Sequence, residues 1–346
     1  MIGQPRHTRI GLDLCSQSLR AVQLDRDGDS WVIASAVRVP RSTDGEPATL
    51  PEIESLVTRI TDAGMRGPHS AVCLPTNKHF SSLMDVPALS SGAPIDEITR
   101  AELCRETNRK PDECQTAWWP LPRAGRAHES DRAMAVGCSI ADADAFIQPL
   151  QQAGLVINVL DLRAASLLRA CRPLLSEDDR ITPILEIGHA SALIAIAIGR
   201  TLIFQRRVDF AGLQSIHRLL MTQLGVDAEI AAHLLAHVGV SKQDPMPPIA
   251  RLNEIRDLLT SILDRVAEEV RSSIGFTTHR YSRSEVRSLL ICGDGACIPG
   301  LTDTLARQLS CECQIITPQL ILGPDCHHTD SALIVAIGAA LHGVAA

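Results

Sequence analysis

The chain has 346 residues, more than one ordinary domain, so the sequence predicts two domains or one bilobal unit with a large core. Lys and Arg number 33 against 40 Asp and Glu, a net charge of −7, and no basic stripe interrupts this balance. That pattern argues against a nucleic-acid-binding protein. The 11 cysteines lie in apolar segments without CxxC pairs, which predicts reduced thiols and a reducing compartment.

Neither end of the sequence resembles an export or membrane segment. The opening stretch MIGQPRHTR lacks the apolar run of a signal peptide. The most apolar tail segment, ALIVAIGAALHGVAA from Ala332, is shorter than the roughly 20 residues that a span requires and contains His342. We therefore expect a cytoplasmic protein.

The first unit of the chain is predicted to open with three strands, at about residues 8–14, 19–25 and 31–39. A helix should begin near Pro51, because proline at a first turn and acidic residues beside it suit a helix N-terminus. The apolar stretch HSAVCLP, which ends at Pro75, predicts a buried strand.

Residues 80–153 carry elements of their own. They include a predicted helix from Pro94 to Asn108, the strand AMAVGCS and a second helix from Asp142 to Ala153. The strand LVINVLDL, which ends at Leu162, then leads the chain back to the first unit. This organisation predicts an inserted subdomain.

The second unit repeats the scheme of the first. Three predicted strands run from Ile184 to Val208 and are followed by helices at about 212–224, 227–238 and 251–277, the strand RSLLICG and a helix opened by Pro299. The Pro-rich stretch SKQDPMPPIAR from Ser241 is an expected exposed connection. Hairpins followed by helices and further strands predict mixed sheets covered by helices on both faces.

The turn of the first hairpin, in IGLDLCSQSLRAVQL, carries the first candidate site. Asp13 follows a buried strand, and Ser16 and Gln17 offer hydroxyl, amide and backbone donors to phosphate oxygens. Arg20 is placed to make a bidentate phosphate contact. The alternative is a plain hairpin whose polar residues stabilise the turn.

The turn of the second hairpin, in ILEIGHASALIAIAI, places Glu186 and Gly188 in the equivalent position. Glycine allows a backbone to approach a phosphate closely. A magnesium ion bridged by phosphates needs oxygen ligands, and Asp13 with Glu186 is the candidate pair. Together the hairpins predict a cleft for a metal-bound nucleoside triphosphate, although a buried acidic pair held by hydrogen bonds stays an alternative.

A third element, LLICGDGACIPGLTDTLARQL from Leu289, is a predicted strand-to-helix turn. Its glycines Gly293 and Gly295 suit close contact with an adenine ring or sugar, and the turn points a helix N-terminus towards the cleft. An ordinary strand-helix connection is the alternative.

In this order and duplicated arrangement, the three elements resemble the ATPase superfamily of actin, the sugar kinases and heat-shock protein 70. Within it the sequence resembles the PilM family of type IV pilus assembly proteins, relatives of the division protein FtsA, over nearly the whole chain. The stretches from Gln151, Arg206 and Ser331 also resemble that family. The resemblance implies an α/β actin-like (ribonuclease H-like, duplicated) bilobal fold, divided as follows: 1–79 and 154–183 as first lobe, 80–153 as inserted subdomain, 184–330 as second lobe and 331–346 as a terminal helix returning to the first lobe.

The resemblance also implies a nucleotide site with no assigned catalytic residue. Its cofactors would be ATP and Mg²⁺, with Asp13 and Glu186 as metal ligands. The implied nucleotide-binding residues are Asp13, Ser16, Gln17, Arg20, Glu186, Gly188, His189, Ser191, Gly212, Glu229, Gly293 and Gly295.

This sequence departs from the family pattern at several of these positions. Cys15, Ala211 and Asp294 stand where glycine is usual, Glu186 replaces Asp, and Ala232 replaces a common Lys. The side chain at Cys15 would intrude where phosphates press against backbone, and Asp294 would bring negative charge towards an anionic ligand. A site that binds ATP and a site that has lost it both stay open.

The function implied by the resemblance is a scaffold of a type IV pilus or related secretion machine. It would lie in the cytoplasm, peripheral to the inner membrane, and bind the N-terminal tail of a PilN-type membrane protein. The groove for that tail would lie between the first lobe and the insertion, near Phe80 to Leu89. Nucleotide would act as a conformational ligand with at most slow hydrolysis, and a homo-oligomer stays open.

Two other functions follow from the same superfamily. A small-molecule kinase would need a cleft aspartate as base, for which Asp161 and Asp209 are candidates by location. A division protein related to FtsA would need an amphipathic terminal helix, whereas the tail after Ala332 is nearly all apolar and small.

Some residues allow further interpretations. His233 and His237 share a helix face and could ligate a metal or form a surface pair. Trp118 and Trp119 are expected either to pack within the insertion or to contact a partner. Residues 326–328, a Cys followed by two His, predict a solvated loop.

Overall fold

The structure, a computed structural model, describes most of the chain: residues 6–42, 47–123, 130–176, 178, 180–242, 251–281 and 285–344. Part of the polar loop after Arg123 and most of the Pro-rich stretch after Ser241 lie outside the described residues. Within that part of the chain the strands form three sheets.

The first lobe is a five-stranded mixed sheet in the order β3-β2-β1-β4-β8. Its elements are β1 (Ile10–Leu14), β2 (Ser18–Asp27), β3 (Ser30–Pro40), α1 (Leu50–Asp62), β4 (His69–Leu74), β8 (Val156–Leu162) and α4 (Arg163–Ala170). Strand β1 runs antiparallel to β2 and parallel to β4. The predicted hairpin, helix and buried strand are thereby confirmed.

The inserted subdomain lies between β4 and β8. It comprises β5 (His79–Pro87), α2 (Ile95–Glu106), β6 (Cys114–Pro120), β7 (Ser130–Ser139) and α3 (Ile140–Gln152). Successive strand residues point to opposite faces of its antiparallel sheet, whose order is β5-β7-β6. Ala133 and Ala135 therefore pack on α2, whereas Met134 and Val136 join the core of the second lobe.

The second lobe repeats the first in the order β11-β10-β9-β12-β13. Its elements are β9 (Ile181–Ile187), β10 (Ala192–Ile198), β11 (Thr201–Val208), α5 (Leu213–Leu224), α6 (Ala228–His237), α7 (Leu252–Arg280), β12 (Ser288–Cys292), α8 (Leu301–Leu309), β13 (Glu312–Ile315) and α9 (Pro318–Leu322). Both sheets pair the middle strand antiparallel to one neighbour and parallel to the other. This is the duplicated α/β architecture that the sequence predicts.

Two helices join the lobes through a shared apolar core. Helix α4 and the terminal helix α10 (Ile334–Ala340) pack together, and residues of both sheets surround them. Glycine is required where backbones meet, because a Cβ on Gly338 would lie 1.8 Å from the Ser166 carbonyl oxygen and one on Gly11 would lie 2.0 Å from that of Ala336. This close packing sets the position of the first hairpin relative to the second lobe.

No single helix in the described residues has both the length and the apolar composition of a membrane span. The consecutive helices α5 and α6 satisfy that test only when they are taken together, and they are bent by 111° at their junction.

Candidate functional site

The turns of the two duplicated hairpins meet where the lobes join. Asp13 on β1 and Glu186 on β9 are both buried, with 0% and 2% of their surfaces exposed. The structure thus places the two predicted metal ligands in one cleft. Neither carboxylate is open, however, because arginine side chains contact both of them.

Arg163, the first residue of α4, joins the two carboxylates. Its Nη1 donates to Asp13 Oδ1 at 2.5 Å, and its Nε lies 2.9 and 2.7 Å from the two oxygens of Glu186. The Arg163 side chain is 15% exposed. One guanidinium therefore bridges a carboxylate of the first lobe and a carboxylate of the second.

A second ionic contact crosses the cleft at the start of the third element. Arg20 on β2 contacts Asp13 at 3.2 Å and Asp294, which follows β12, at 2.6 Å. Arg38 on β3 contacts Asp294 from the other side at 2.9 Å. Asp294 therefore pairs with first-lobe arginines, and Arg20, a predicted phosphate ligand, pairs with protein carboxylates.

Cys15 lies in the middle of this network. Its thiol donates to Asp13 Oδ2 at 3.1 Å, and its Sγ lies 3.3 Å from Arg20 Nη1 and 3.4 Å from Arg163 Nη2. Burial, followed by the nearby Asp13 charge, raises the pKa of Cys15 to about 12. The thiol is thus neutral and fills space where bare backbone is expected in the family pattern.

The carboxylate of Asp13 is held in its charged form. Burial alone would raise the pKa of Asp13, but the charges of Arg163 and Arg20 and the hydrogen bonds from Arg163 and Cys15 outweigh burial and lower it. Burial opposes the charge of Arg163 in the same way, and the adjacent Asp13 and Glu186 nonetheless raise the pKa of Arg163 well above its ordinary value.

The second hairpin turn is occupied by contacts within the lobe. The amide of Gly188 donates to the Ser191 carbonyl at 3.1 Å, and the amides of Leu213 and Gln214 at the start of α5 donate to the carbonyls of Gly188 and His189 at 3.1 and 2.9 Å. Those helix amides are therefore engaged by protein carbonyls. Gly212 is required there, since a Cβ on it would lie 2.4 Å from the carbonyl carbon of Ala190.

The glycines of the third element also have internal packing reasons. Gly293 has φ +93°, and a Cβ on it would lie 2.6 Å from the Ile187 carbonyl oxygen. A Cβ on Gly295 would lie 2.3 Å from the Ile187 side chain. Close packing on β9 thus requires glycine at both positions, with or without an adenine ring.

The predicted residues Ser16 and Gln17 form the first turn and are half-buried. Ser16 lines a cavity of about 390 Å³, and the Gln17 carbonyl accepts from the Arg41 amide at 2.9 Å. Besides the cleft residues Arg163 and Glu186, the cavity wall includes Gly188, His189 and Ser191 of the second turn, several first-lobe residues, and residues of α3.

Other candidates lie apart from the cavity wall. Glu229 is exposed in the first turn of α6. His233 and His237 are exposed with ring centroids 4.4 Å apart, and no group of three or more potential ligands occurs within the described residues. The indole of Trp119 donates to the Leu202 carbonyl at 2.7 Å, which ties the insertion to the second lobe, and that of Trp118 donates to Asp96.

The residues of this cleft do not fit a magnesium-bridged nucleotide in their present arrangement. Mg²⁺ requires near-octahedral oxygen ligands, whereas the oxygens of Asp13 and Glu186 are engaged by Arg163. Cys15 and Asp294, which stand where the family resemblance implies glycines beside the phosphates, are also in contact with arginines.

Comparison with known proteins establishes the family. The family described as "Type IV pilus assembly protein PilM" matches residues 11–344. The chain belongs to the PilM family. Among curated proteins, none matches the sequence.

Solved structures agree with a PilM-type, actin-like fold. The "PilM-PilN type IV pilus biogenesis complex" contains a chain that is 20% identical, with a TM-score of 0.77 over 99% of this chain and 100% of that one. The ethanolamine utilization protein EutJ from Carboxydothermus hydrogenoformans is 15% identical, with a TM-score of 0.56 over 99% and 91%. MreB5 of Spiroplasma citri, bound to ADP, is 12% identical, with a TM-score of 0.55 over 97% and 95%.

Arg163, the cation that joins the two lobes at the cleft of this PilM-family chain, is not among the site residues predicted from the sequence. Arg163 lies two residues after Asp161, at the start of a helix, in the stretch DLRAAS. A cation at a helix N-terminus is opposed by the helix dipole, by roughly 0.3–1 kcal/mol at exposed sites. The unfavourable position of Arg163 at the N-terminus of α4 is therefore the sequence signal that could have indicated nearby carboxylate partners.

Proposed function

We propose that this chain is the scaffold of a type IV pilus or related secretion machine. It acts in the cytoplasm at the inner membrane and binds the N-terminal tail of a PilN-type membrane protein. Membership of the PilM family supports the pilus assignment, and the likeness to a chain of the PilM-PilN complex supports the choice of partner.

The observation that carries the proposal is the cavity between the first lobe, α3 and the second hairpin. Its wall does not include the residues from Phe80 to Leu89, near which the sequence predicts the groove. Leu14, Ile53 and Pro75 line it from the first lobe, and Ala145 and Phe146 line it from α3. Apolar walls of this kind suit the side chains of a short peptide, because binding sites are concave and mostly apolar with few polar groups.

Charged side chains at the same cavity supply the polar contacts. Lys78 and Asp142 both line the cavity and pair at 2.7 Å. This pair links the segment between β4 and β5 to α3. Arg207 lines it from β11. A tail that carries both apolar and charged residues would therefore meet complementary groups within this one cavity.

A blocking substitution tests this site. Ala145 is exposed on α3 and lines the cavity, so Ala145→Trp fills the space without removing a core contact. We expect fluorescence anisotropy with a labelled synthetic tail peptide of the PilN-type protein to show binding to the unaltered chain and at least about tenfold weaker binding to the variant. Ala101→Trp, at an exposed alanine of α2 outside the cavity wall, is the matched control.

Equal peptide affinities for the two tryptophan variants would place the tail elsewhere. Failure of the unaltered chain to bind the peptide, in a folded sample, would overturn the proposed partner.

A kinase function would need a catalytic base, and both candidate aspartates, Asp161 and Asp209, are engaged by other side chains. Asp161 accepts hydrogen bonds from the Leu162 amide, the Ser166 hydroxyl and Arg169 at 2.8, 2.6 and 2.7 Å. Asp209 pairs with Arg207 at 2.6 Å, and its side chain is 75% exposed. We expect no substrate-dependent ATP consumption with any sugar.

A division-protein function related to FtsA is likewise less well supported. Every residue of α10 is buried, so this helix has no exposed apolar face to place on a membrane.

A further inference from the structure

We propose that Arg163 is a built-in cation that closes the cleft in place of a metal-bound nucleotide. The guanidinium contacts Asp13 of the first lobe and Glu186 of the second, which are the two positions assigned to the metal by family resemblance. The chain's own side chain therefore supplies the positive charge that joins the lobes. This inference holds whether or not the cavity binds a partner tail.

The geometry distinguishes this contact from an ordinary ion pair within one lobe. Arg163 uses Nη1 towards Asp13 and Nε towards Glu186, so one planar group spans both hairpins. Arg169, about 1.7 turns further along α4, pairs with Asp161 at 2.7 Å and donates to the Gly338 carbonyl. Among the contacts of the described residues, Arg163 pairs with a second-lobe carboxylate, whereas the carboxylate partner of Arg169 lies in the first lobe.

Charge balance within the cleft supports the same conclusion. The carboxylates of Asp13, Glu186 and Asp294 are paired with the guanidiniums of Arg20, Arg163 and Arg38. Arg38 is 43% exposed and also contacts Asp330 at 3.5 Å. Buried charges are stable only when they are paired, and here every acid has an arginine partner before any ligand is added. An incoming magnesium ion and triphosphate would have to break these pairs.

The position of Arg163 on its helix is otherwise unfavourable. The N-terminus of a helix carries partial positive charge, which repels a cation. Two carboxylates compensate for that repulsion, and the Leu162 amide that precedes the helix donates to Asp161 at 2.8 Å. The position of Arg163 is thus explained by its contacts with the carboxylates of both lobes rather than by any contribution to the stability of α4.

The consequence is a cleft that stays closed without nucleotide. A ligand shifts a conformational equilibrium only by its differential affinity for the two states. Because the arginines already join the two lobes, this chain needs no nucleotide to hold the cavity between the first lobe, α3 and the second hairpin in its present shape.

The test removes Arg163 from the full-length chain and measures amide hydrogen exchange in the two turns, residues 13–18 and 186–191. For Arg163→Ala we expect exchange in both turns to become at least about tenfold faster, because the joint between them is lost. Arg169→Ala, the control on the same helix, breaks a pair within the first lobe and a bond to the Gly338 carbonyl, so it should accelerate exchange in the two turns much less than Arg163→Ala does.

Addition of Mn²⁺ separates a metal-like role from a purely structural one. In Arg163→Ala, Glu186 loses the arginine that bridges it to Asp13, and Asp13 keeps Arg20 as its one arginine partner. The two carboxylates should then bind Mn²⁺, as seen in its electron paramagnetic resonance spectrum, and the bound ion should restore slow exchange in both turns. The unaltered chain should bind neither Mn²⁺ nor magnesium-ATP in the cleft, by resonance and calorimetry respectively.

Glu186→Gln keeps the shape of the side chain and removes its charge, so it decides the question if Arg163→Ala does not fold. We expect it to accelerate exchange in the same turns. Unchanged exchange in the folded variants, or magnesium-ATP binding in the cleft of the unaltered chain, would overturn the proposal. Faster exchange in Arg163→Ala without rescue by Mn²⁺ would overturn the claim that Arg163 stands for a metal.

Discussion

Arg20 Nη2 lies 2.6 Å from both carboxylate oxygens of Asp294, and this contact joins the first hairpin to the end of a second-lobe strand. The side chains are 1% and 7% exposed. Read from the sequence, Asp294 is an acid that would repel an anionic ligand, and Arg20 is a phosphate ligand. In the folded chain each is the counter-ion of the other.

Removal of Asp294 should therefore be costly. Asp294→Ala leaves Arg20 buried with part of its charge uncompensated, and breaking a buried pair in this way typically costs about 3–5 kcal/mol. We expect a loss of that order in the free energy of unfolding, measured by urea denaturation. The control Asp325→Ala, at an exposed acid of the same lobe, should change it by less than about 0.5 kcal/mol. Equal effects of the two substitutions would contradict the importance of the Arg20 contact.

The close approach of α10 to α4 gives a second prediction. In Gly338→Ala the new methyl group would lie 1.8 Å from the Ser166 carbonyl, so the helices must separate and their shared core must loosen. We expect a loss of roughly 3 kcal/mol or more in the free energy of unfolding.

Gly275→Ala is the matched control for that substitution, since among the described residues no atom beyond the chain neighbours and the backbone of its own helix lies within 4 Å of a Cβ at this position. Alanine there should stabilise the protein by up to about 1 kcal/mol, because it favours the helix over the unfolded chain. Similar stabilities for the two variants, measured by thermal unfolding, would argue against the tight helix contact.

Glu52 at the start of α1 provides a pH-dependent prediction. Its burial alone would raise its pKa, but the amides of Thr49 and Ser42 and the charge of Arg41 lower it to about 2 from an ordinary value of 4.5. The folded pKa is the lower one, so this stabilisation is complete above about pH 4.5 and is lost as the pH falls towards 2.

The substitution Glu52→Gln should thus cost roughly 1–2 kcal/mol near neutral pH, after allowance for screening by water. The difference from the unaltered chain should shrink as the pH falls from about 5 to about 3. Urea unfolding at a series of pH values measures it. Glu54→Gln, on the exposed side of the same helix, should show no such trend. A difference that grows on acidification would have the wrong sign for a lowered pKa.

The architecture of both lobes can be predicted from sequence because it depends on local patterns. Strand β10 is an apolar run buried at all of its positions, and a chain-reversing turn separates it from β9, so hairpin and burial are encoded within a few residues. The same applies to the first hairpin around Asp13. The repetition of this pattern is what indicates a duplicated fold.

The chemistry of the cleft cannot be predicted in that way, because it depends on partners far apart in sequence. Arg163 is 150 residues from Asp13, and Arg20 is 274 residues from Asp294. No local pattern indicates such pairs. The role of the glycines in the third element is ambiguous for a related reason. Gly293 and Gly295 pack closely against Ile187, and the sequence alone cannot distinguish a glycine required for such packing from one that leaves room for a ligand.

The thiol of Cys15 gives the last prediction. With a pKa of about 12, only about one Cys15 in ten thousand carries a thiolate at pH 8, and the thiolate is the reactive species. The side chain is also buried, whereas Cys297 is exposed. We expect iodoacetamide at pH 8 to alkylate Cys297 in the native chain and to leave Cys15 unmodified, as read by peptide mass spectrometry.

Unfolding in concentrated urea should make Cys15 and Cys297 react at similar rates, because both thiols then have ordinary pKa values. This is the positive control for the mass measurement. Loss of the Arg163 charge would not lower the Cys15 pKa, because that charge favours the thiolate. Arg163→Ala should nonetheless bring Cys15 into reaction under native conditions, because loss of the joint between the lobes exposes the thiol, whose Sγ lies 3.4 Å from the guanidinium that would be removed. Rapid native alkylation of Cys15 in the unaltered chain would mean that the cleft opens without any substitution, and the arginine network could not then be what closes it.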